Sequence, residues 1–456
     1  MHFDIRVSGG TAILPEVGET RCDIGINNGK IAALIEPGAD TPDVGRVIDA
    51  TGKIVFPGLI DAHLHFGFAE KPDEYSSETR SAAIGGISTI LSFFLNNEPY
   101  TDVFKVELPD VEKRAYVDFG FHFSTAKDVH LDEFDTCVEE FGVTSFKYFM
   151  NFKGDAGRYL GLDGTDDGYM YDLLEKAAKY PEAVVVMHTE NIELVNRFTA
   201  RVMAEGKDGL AALLEAKPEF VETENLVRAM MFAEHLGARI YIPHLSCASG
   251  LDEVRRFRER YGEIYVETCP QYLTHTWETD LPMSVGKANP PLRTQDDIDA
   301  LWEALADGTV DVIASDHVPR KKETKMTSLW KSSQGFPGTA TILPVLLSEG
   351  YHKRGLPLSR IADLCGANPA DIFNINARKG RLVVGADADL TIVDLELERE
   401  VKHQDLLSYS DYTPYDGWTL KGWPTLTMSR GVVVMENGKI VGPEGHGVYL
   451  SRPLMG

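Results

Sequence analysis

The residues with the plainest chemical meaning are His63 and His65, at the end of the run Gly58-Leu-Ile-Asp-Ala-His-Leu-His65. Side chains on a strand alternate with period two, so both imidazoles turn to one face and can meet a single cation. Four further groups stand in or at the ends of apolar runs: Lys147 within Ser-Phe-Lys-Tyr-Phe, then His188, His244 and Asp316. Taken singly, each has a bland reading. A core histidine is usually just hydrogen-bonded, an aspartate after Val-Ile-Ala-Ser is usually a helix cap, and a strand-end lysine usually reaches solvent. Ligand-competent groups at five strand ends of one scaffold are not independent accidents, and together they read as a metal centre.

Lys147 is the informative oddity. A lysine inside a barrel strand is expensive as a cation, and burial moves it toward the neutral amine. A neutral amine reacts with carbon dioxide to give a carbamate, an anionic two-oxygen ligand that can bridge two metal ions.

Those groups need elements to aim them. Eight apolar runs, at 54–63, 87–93, 116–121, 143–149, 183–188, 239–244, 263–268 and 310–316, alternate with segments of helical spacing such as 73–85, 168–179 and 296–306. Several runs are nearly continuous in Val and Ile, as strands covered on both faces should be. Eight such units close into an α/β fold, a parallel (β/α)8 TIM barrel, which carries its working groups where strands end and βα loops begin. The chain's two ends differ in texture. Short strand-like runs at 4–8, 22–27 and 31–35, with an Asn28-Gly29 hairpin signal, return at 389–394 and 426–436 before Asn437-Gly438. The economical reading pairs the ends into one small β-sandwich, residues 1–54 with 380–456, beside a barrel of residues 55–379.

Composition limits the partners. With 43% hydrophobic and 25% charged residues, the chain can build a large core. Its 45 basic and 70 acidic residues give a formal charge of −25, which repels phosphate backbones and anionic membranes, so no nucleic acid and no membrane is expected as a partner. Five scattered cysteines without a CxxC pair fit a reducing compartment, and Asp4 and Arg6 stand where a signal peptide needs an apolar core. A cytoplasmic location is expected. The basic run Arg320-Lys-Lys-Glu-Thr-Lys325 reads as a solvated loop, with attraction of an anionic substrate as the alternative.

In order along the chain, the 58–65 run, Ser145-Phe-Lys-Tyr-Phe-Met150, His188-Thr-Glu-Asn191, His244-Leu-Ser246, Glu267-Thr-Cys-Pro-Gln-Tyr-Leu273, Asn289-Pro-Pro-Leu-Arg293 and Ser315-Asp-His317 resemble the hydantoinase and dihydropyrimidinase branch of the amidohydrolase superfamily. Asn368-Pro-Ala, Gly385-Ala-Asp-Ala-Asp389 and the segment 411–418 fit the same family, so the resemblance spans nearly the whole chain. It implies two divalent metal ions, one held by His63, His65 and Asp316, the other by His188 and His244, with carboxylated Lys147 bridging. It further implies a bridging hydroxide that opens the amide of a cyclic ureide or imide, Asp316 serving as general base and then acid. The substrate is thus a small cyclic amide, and the resemblance implies a homotetramer or dimer. Imidazole and oxygen ligands suit zinc, while manganese, cobalt or iron fit the same set.

Departures from the family pattern concern the substrate. Hydantoinases usually carry a tyrosine five residues after the carboxylated lysine, whose hydroxyl contacts the substrate carbonyl; this chain has Phe152. A phenyl ring donates nothing, and a lost oxyanion donor can cost about 3–4 kcal/mol of transition-state stabilisation. Either the donor comes from elsewhere, with Tyr148 and Tyr159 as the local candidates, or the substrate differs from a simple cyclic ureide. Asn289 and Gln334 occupy positions that contact substrate in the family, and Phe66, Phe68, Phe94, Leu95 and Phe152 would wall an apolar substituent. An allantoinase-like enzyme, or one acting on a linear amide, is the alternative. Dihydroorotase is disfavoured because Gly67 stands where that family has an arginine, and a non-catalytic scaffold is disfavoured because all six ligand positions hold competent residues.

Overall fold

The computed structural model describes residues 2–39, 43–66, 73–154, 157, 161, 164–282, 284–452 and 454. Eight parallel strands follow one another in chain order around a nearly closed barrel: β1 (Leu59–His65), β2 (Ile87–Phe94), β3 (Asp118–Ser124), β4 (Ser145–Phe149), β5 (Val184–His188), β6 (Arg239–Ile242), β7 (Ile264–Thr268) and β8 (Val312–Ile313). The last strand meets the first through the residues just beyond it. His65 N donates to His317 O at 2.8 Å and His317 N to His63 O at 3.3 Å. Buried Asp61 fastens the same seam, accepting from Ser315 N at 3.0 Å.

Helices fall where the spacing places them, at Glu74–Ile84, Asp167–Ala177 and Gln295–Asp307, the last opened by a Thr294/Asp297 capping box. The long connection between β5 and β6 holds three helices, Ile192–Ala204, Leu210–Ala216 and Glu219–Leu236. No helix among the described residues is long and apolar enough to cross a membrane.

One expected strand divides. The run 54–63 breaks at Gly58, so that Ile54–Pro57 pairs antiparallel with Leu390–Glu400 and only Leu59–His65 enters the barrel. Gly58 passes so close to Ser88 and Asp389 that a Cβ has no room, and its N–H donates to Asp389 O at 2.7 Å. Ile54–Pro57 thereby lies inside a seven-stranded sheet that joins the two ends of the chain, in the order Lys439–Ile440, Val432–Glu436, Thr419–Ser429, Leu390–Glu400, Ile54–Pro57, Thr11–Leu14, Gly18–Arg21. A second sheet contains Lys30–Ile35, Asp23–Asn27, Phe3–Ser8 and Val44–Asp49. Ile24, Ile26, Ile31 and Ile48 of one sheet and Val55, Leu390, Ile392 and Met428 of the other form one buried cluster, the interior of a sandwich. Both Asn-Gly hairpins have two consecutive positive φ angles, 48° and 71° at Asn28-Gly29 and 50° and 76° at Asn437-Gly438, which a type I′ turn requires.

The C-terminal tail leaves the sandwich and runs under the barrel. Phe119 N donates to Val448 O at 3.1 Å and Leu450 N to Phe119 O at 2.7 Å. Arg452 is fully buried there and donates to Ser145 Oγ at 2.7 Å and to Phe121 O.

Candidate active site

Six side chains converge where the barrel strands end. His63 Nε2 lies 3.2 Å from His65 Nε2 and 3.1 Å from Asp316 Oδ1, and His65 Nε2 is 3.1 Å from the same oxygen. These three residues could hold a metal ion. Beside them, His188 Nδ1 and His244 Nε2 are 2.9 Å apart, and the His63 and His244 rings are centred 5.4 Å apart. Lys147, midway along β4, is fully buried. Its Nζ has no hydrogen-bond partner among the described residues and lies 4.7 Å from the centre of the Phe93 ring.

Strand alternation aims His63, His65, Lys147 and His188. His244 and Asp316 lie beyond the ends of β6 and β8, and both adopt left-handed backbone, with φ of 43° and 50°. That conformation costs a residue with a Cβ about 1–3 kcal/mol and persists only where the surroundings impose it. At His244 the amide donates to Glu267 Oε1 at 3.0 Å, and Asp316 sits between Ser315 and His317 of the barrel seam.

A ring of buried carboxylates orients the imidazoles. His63 Nδ1 donates to Glu267 Oε1 at 2.6 Å and His188 Nε2 to Glu190 Oε2 at 2.7 Å. The opposite nitrogens, His63 Nε2 and His188 Nδ1, therefore present lone pairs to the centre. Lone pairs and a carboxylate oxygen packed at about 3 Å repel one another unless a proton or a cation lies between them, so the donor set fits metal ions. Burial pushes His65 and His188 down to about 4 and His244 well below its usual value. Burial also acts on His63, but Glu267 and Asp316 outweigh it and carry that imidazole up to about 9, so that without a cation a proton on Nε2 fills the place an ion would take. Burial works against the Asp316 carboxylate as well, yet His63 and His65 hold it well below the usual range. Lys147 is pushed down to about 8 by burial, which leaves an appreciable neutral fraction near pH 7.

Glu267 and Glu190 are the functional partners that sequence reasoning did not single out. Glu267 lies inside β7 and also accepts from Tyr241 Oη at 2.7 Å. Like Lys147 it is a charge buried in a barrel strand, and that is the signal in the sequence that marks it. Glu190 also accepts from Lys217 Nζ at 2.9 Å, and Lys217 donates in turn to Asn289 Oδ1 at 2.6 Å.

Five of the convergent groups, His65, Lys147, His188, His244 and Asp316, line a cavity of about 560 Å³, its open mouth included, with His63 fully buried behind them. Phe152, Asn289 and Gln334, the expected substrate contacts, all line it, as do Phe149, Asn151, Val318 and Arg320. The Phe152 ring packs on Phe149 with centroids 5.0 Å apart. Tyr148 is not the replacement donor. It is one residue from Lys147 and so faces away, its hydroxyl donating to Asp166 O at 2.8 Å. Tyr159 and Phe68 lie outside the described residues. Phe66 and Phe94 pack in the core instead of lining the cavity, Phe66 against Tyr75 and Phe94 against Tyr100 and Phe123. Of the basic run, Arg320 lines the cavity, whereas Lys325 is buried and donates to Lys287 O at 2.8 Å, so a wholly solvated loop is not what forms.

A parallel barrel with histidines, a lysine and an aspartate at its strand ends is the architecture of a large class of hydrolases, and the match is specific. The model of the amidohydrolase family matches residues 54–434, and the chain belongs to that family. The L-hydantoinase of Paenarthrobacter aurescens is 32% identical over 464 aligned residues, covering 99% of this chain and 98% of that protein. The allantoinase of Bacillus licheniformis is 30% identical over 460, covering 99% and 100%. The crystal structure of dihydropyrimidinase from Brevibacillus agri superposes with a TM-score of 0.91 at 29% identity, covering 99% of both chains. Within the family, the chain falls in the hydantoinase branch.

Proposed function

We propose that this protein hydrolyses the ring amide of a cyclic ureide or imide, with the chemistry of hydantoinases and dihydropyrimidinases. The observation that carries the reading is the convergence of His65, Lys147, His188, His244 and Asp316 on one cavity, with His63 buried against His65 and Asp316. In this reading His63, His65 and Asp316 would hold one divalent ion and His188 and His244 a second, with carboxylated Lys147 as the ligand the two would share. Bound ions, zinc first among the candidates, would supply Lewis acidity toward the carbonyl and lower the pKa of a water. Asp316 Oδ1 then has two tasks, to take a proton from the attacking water and to return it to the leaving ring nitrogen. Glu267 and Glu190 keep the imidazoles in the tautomers that present lone pairs inward. Phe149, Phe152 and Val318 supply apolar surface to the cavity lining. Phe152, with no hydroxyl to offer, and the allantoinase relative make allantoin the second substrate to test.

The remaining parts of the reading are a cytoplasmic homo-oligomer, tetramer or dimer, and two units, residues 1–54 with 380–456 and residues 55–379. All five cysteines are free and buried, in keeping with a reducing compartment. A hydrolysis screen of protein loaded with zinc and bicarbonate, over hydantoins, dihydropyrimidines, allantoin, imides and linear amides, should find ring opening that chelation abolishes. Failure to open any cyclic amide at one or more metals per chain would refute the reading. Lys147→Ala should lose bound metal and turnover together, with short-chain carboxylic acids restoring part of both. Full metal content and undiminished turnover in that variant would rule out the bridging role.

A further inference from the structure

Three carboxamides line the cavity, and they are not equivalent. Asn289 receives Lys217 Nζ on its Oδ1 and gives its Nδ2 to Gln334 Oε1, so the oxygens of both these amides already have partners inside the protein. Asn151 differs. It stands two residues beyond the end of β4, on the wall formed by Phe149 and Phe152, and is only 5% exposed. Its Oδ1 is buried with no hydrogen-bond partner among the described residues. Leaving a buried amide acceptor unmet costs about 1–3 kcal/mol, and because this oxygen has almost no exposed surface, a ligand in the cavity meets it once the amide turns about its Cβ–Cγ bond.

Ring closure decides what such a ligand looks like. A five- or six-membered lactam, ureide or imide holds its amide cis, so the N–H and the C=O point the same way, side by side. A primary carboxamide presents the complementary pair, one N–H donor beside one oxygen acceptor. A linear secondary amide is trans and offers the two groups on opposite edges. We propose that Asn151 reads the cis-amide edge of the substrate ring, Nδ2 donating to a ring carbonyl oxygen and Oδ1 accepting the adjacent ring N–H. Asn151 then supplies the donor that Phe152 lacks, and it selects rings with an unsubstituted nitrogen over N-alkylated rings and linear amides. The assignment rests on the cyclic-amide reading above and names the part of the substrate that is recognised.

The test measures kcat/KM of the metal-loaded wild type, Asn151→Ala and Asn151→Leu on dihydrouracil and hydantoin and on their ring N-methyl derivatives. Metal content and melting temperature are recorded for each protein. Leucine is close to asparagine in volume, so it keeps the wall filled if alanine loosens it. The wild type should prefer N–H rings over one N-methyl series by about 10- to 100-fold, the worth of two neutral hydrogen bonds. Both variants should lose about that factor on the N–H rings alone, with metal content retained, and their preference should fall toward unity. Turnover within threefold of wild type in both variants, or a uniform loss that leaves the N–H to N-methyl ratio unchanged, would overturn the role of Asn151. A wild type that binds metal yet opens no cyclic amide would instead overturn the underlying function.

Discussion

His63 illustrates how little freedom the central residues have. Its two ring nitrogens face Glu267 on one side and the convergent acceptors His65 and Asp316 on the other, so one carboxylate sets which nitrogen is available. Glu267 also takes the amide of His244, whose left-handed backbone it helps to hold. Removing its charge while keeping its size should therefore be felt at both proposed metal positions. Glu267→Gln is expected to weaken metal binding about 10- to 100-fold, the usual penalty for losing a partner that orients a ligand, as measured by competition with a chelator. Unchanged affinity would mean that Glu267 serves the barrel core alone.

Among elements, the junction between barrel and sandwich depends on a buried lysine. Lys379 Nζ lies 2.6 Å from Asp118 at the start of β3, 2.7 Å from Asp389 and 3.0 Å from Asp387. Asp387 is reached as well by Lys30 at 2.6 Å, from the four-stranded sheet, and by Arg378 at 2.9 Å. Burial raises the Asp387 carboxyl, but Lys379, Lys30 and Arg378 outweigh it and hold the group down at about 2, against an ordinary value of 3.8. A carboxylate depressed on folding adds stability that is complete above its unfolded pKa and is lost as pH falls through its folded one. The window is thus pH 4 to pH 2. Asp387→Asn should be less stable than wild type at pH 6 by about 1–2 kcal/mol and should lose less on acidification across that window. Thermal melts at pH 6, 4, 3 and 2 check this, and parallel curves for the two proteins would refute it.

On the scale of the whole molecule, the C-terminal tail closes the barrel from below. Tyr449 packs on Phe104 and Phe121, with centroids 5.5 and 5.8 Å apart, and Arg452 inserts between β3 and β4 with no carboxylate beside it among the described residues. Ser145, which it binds, is two residues before Lys147 on the same strand face. Ending the chain after Gly445 should expose this floor and destabilise the protein by about 3–5 kcal/mol, read from a denaturant midpoint, while Arg452→Leu should cost less because the apolar contacts of Tyr449 remain. An unchanged midpoint on truncation would make the tail a passive appendage.

What was legible in the sequence was what local periodicity controls. His63-x-His65 shares a face because strands alternate, Lys147 stands out because a charge interrupts an apolar strand, and both Asn-Gly turns take positive φ because few other pairs can. Tyr148 was open to the same rule, which turns it away from Lys147. Tertiary structure alone decided the rest. The run 54–63 divides because Gly58 must pass Ser88 and Asp389, which lie far from it in the chain. Which amide oxygen stays unmet beside the cavity depends on Lys217 reaching Asn289 across 72 positions, and Arg452 finds Ser145 only because the tail folds back under the strands. A repeating pattern can say which way a side chain faces on its own strand or helix, but which distant group meets it there is set by how the elements close on one another.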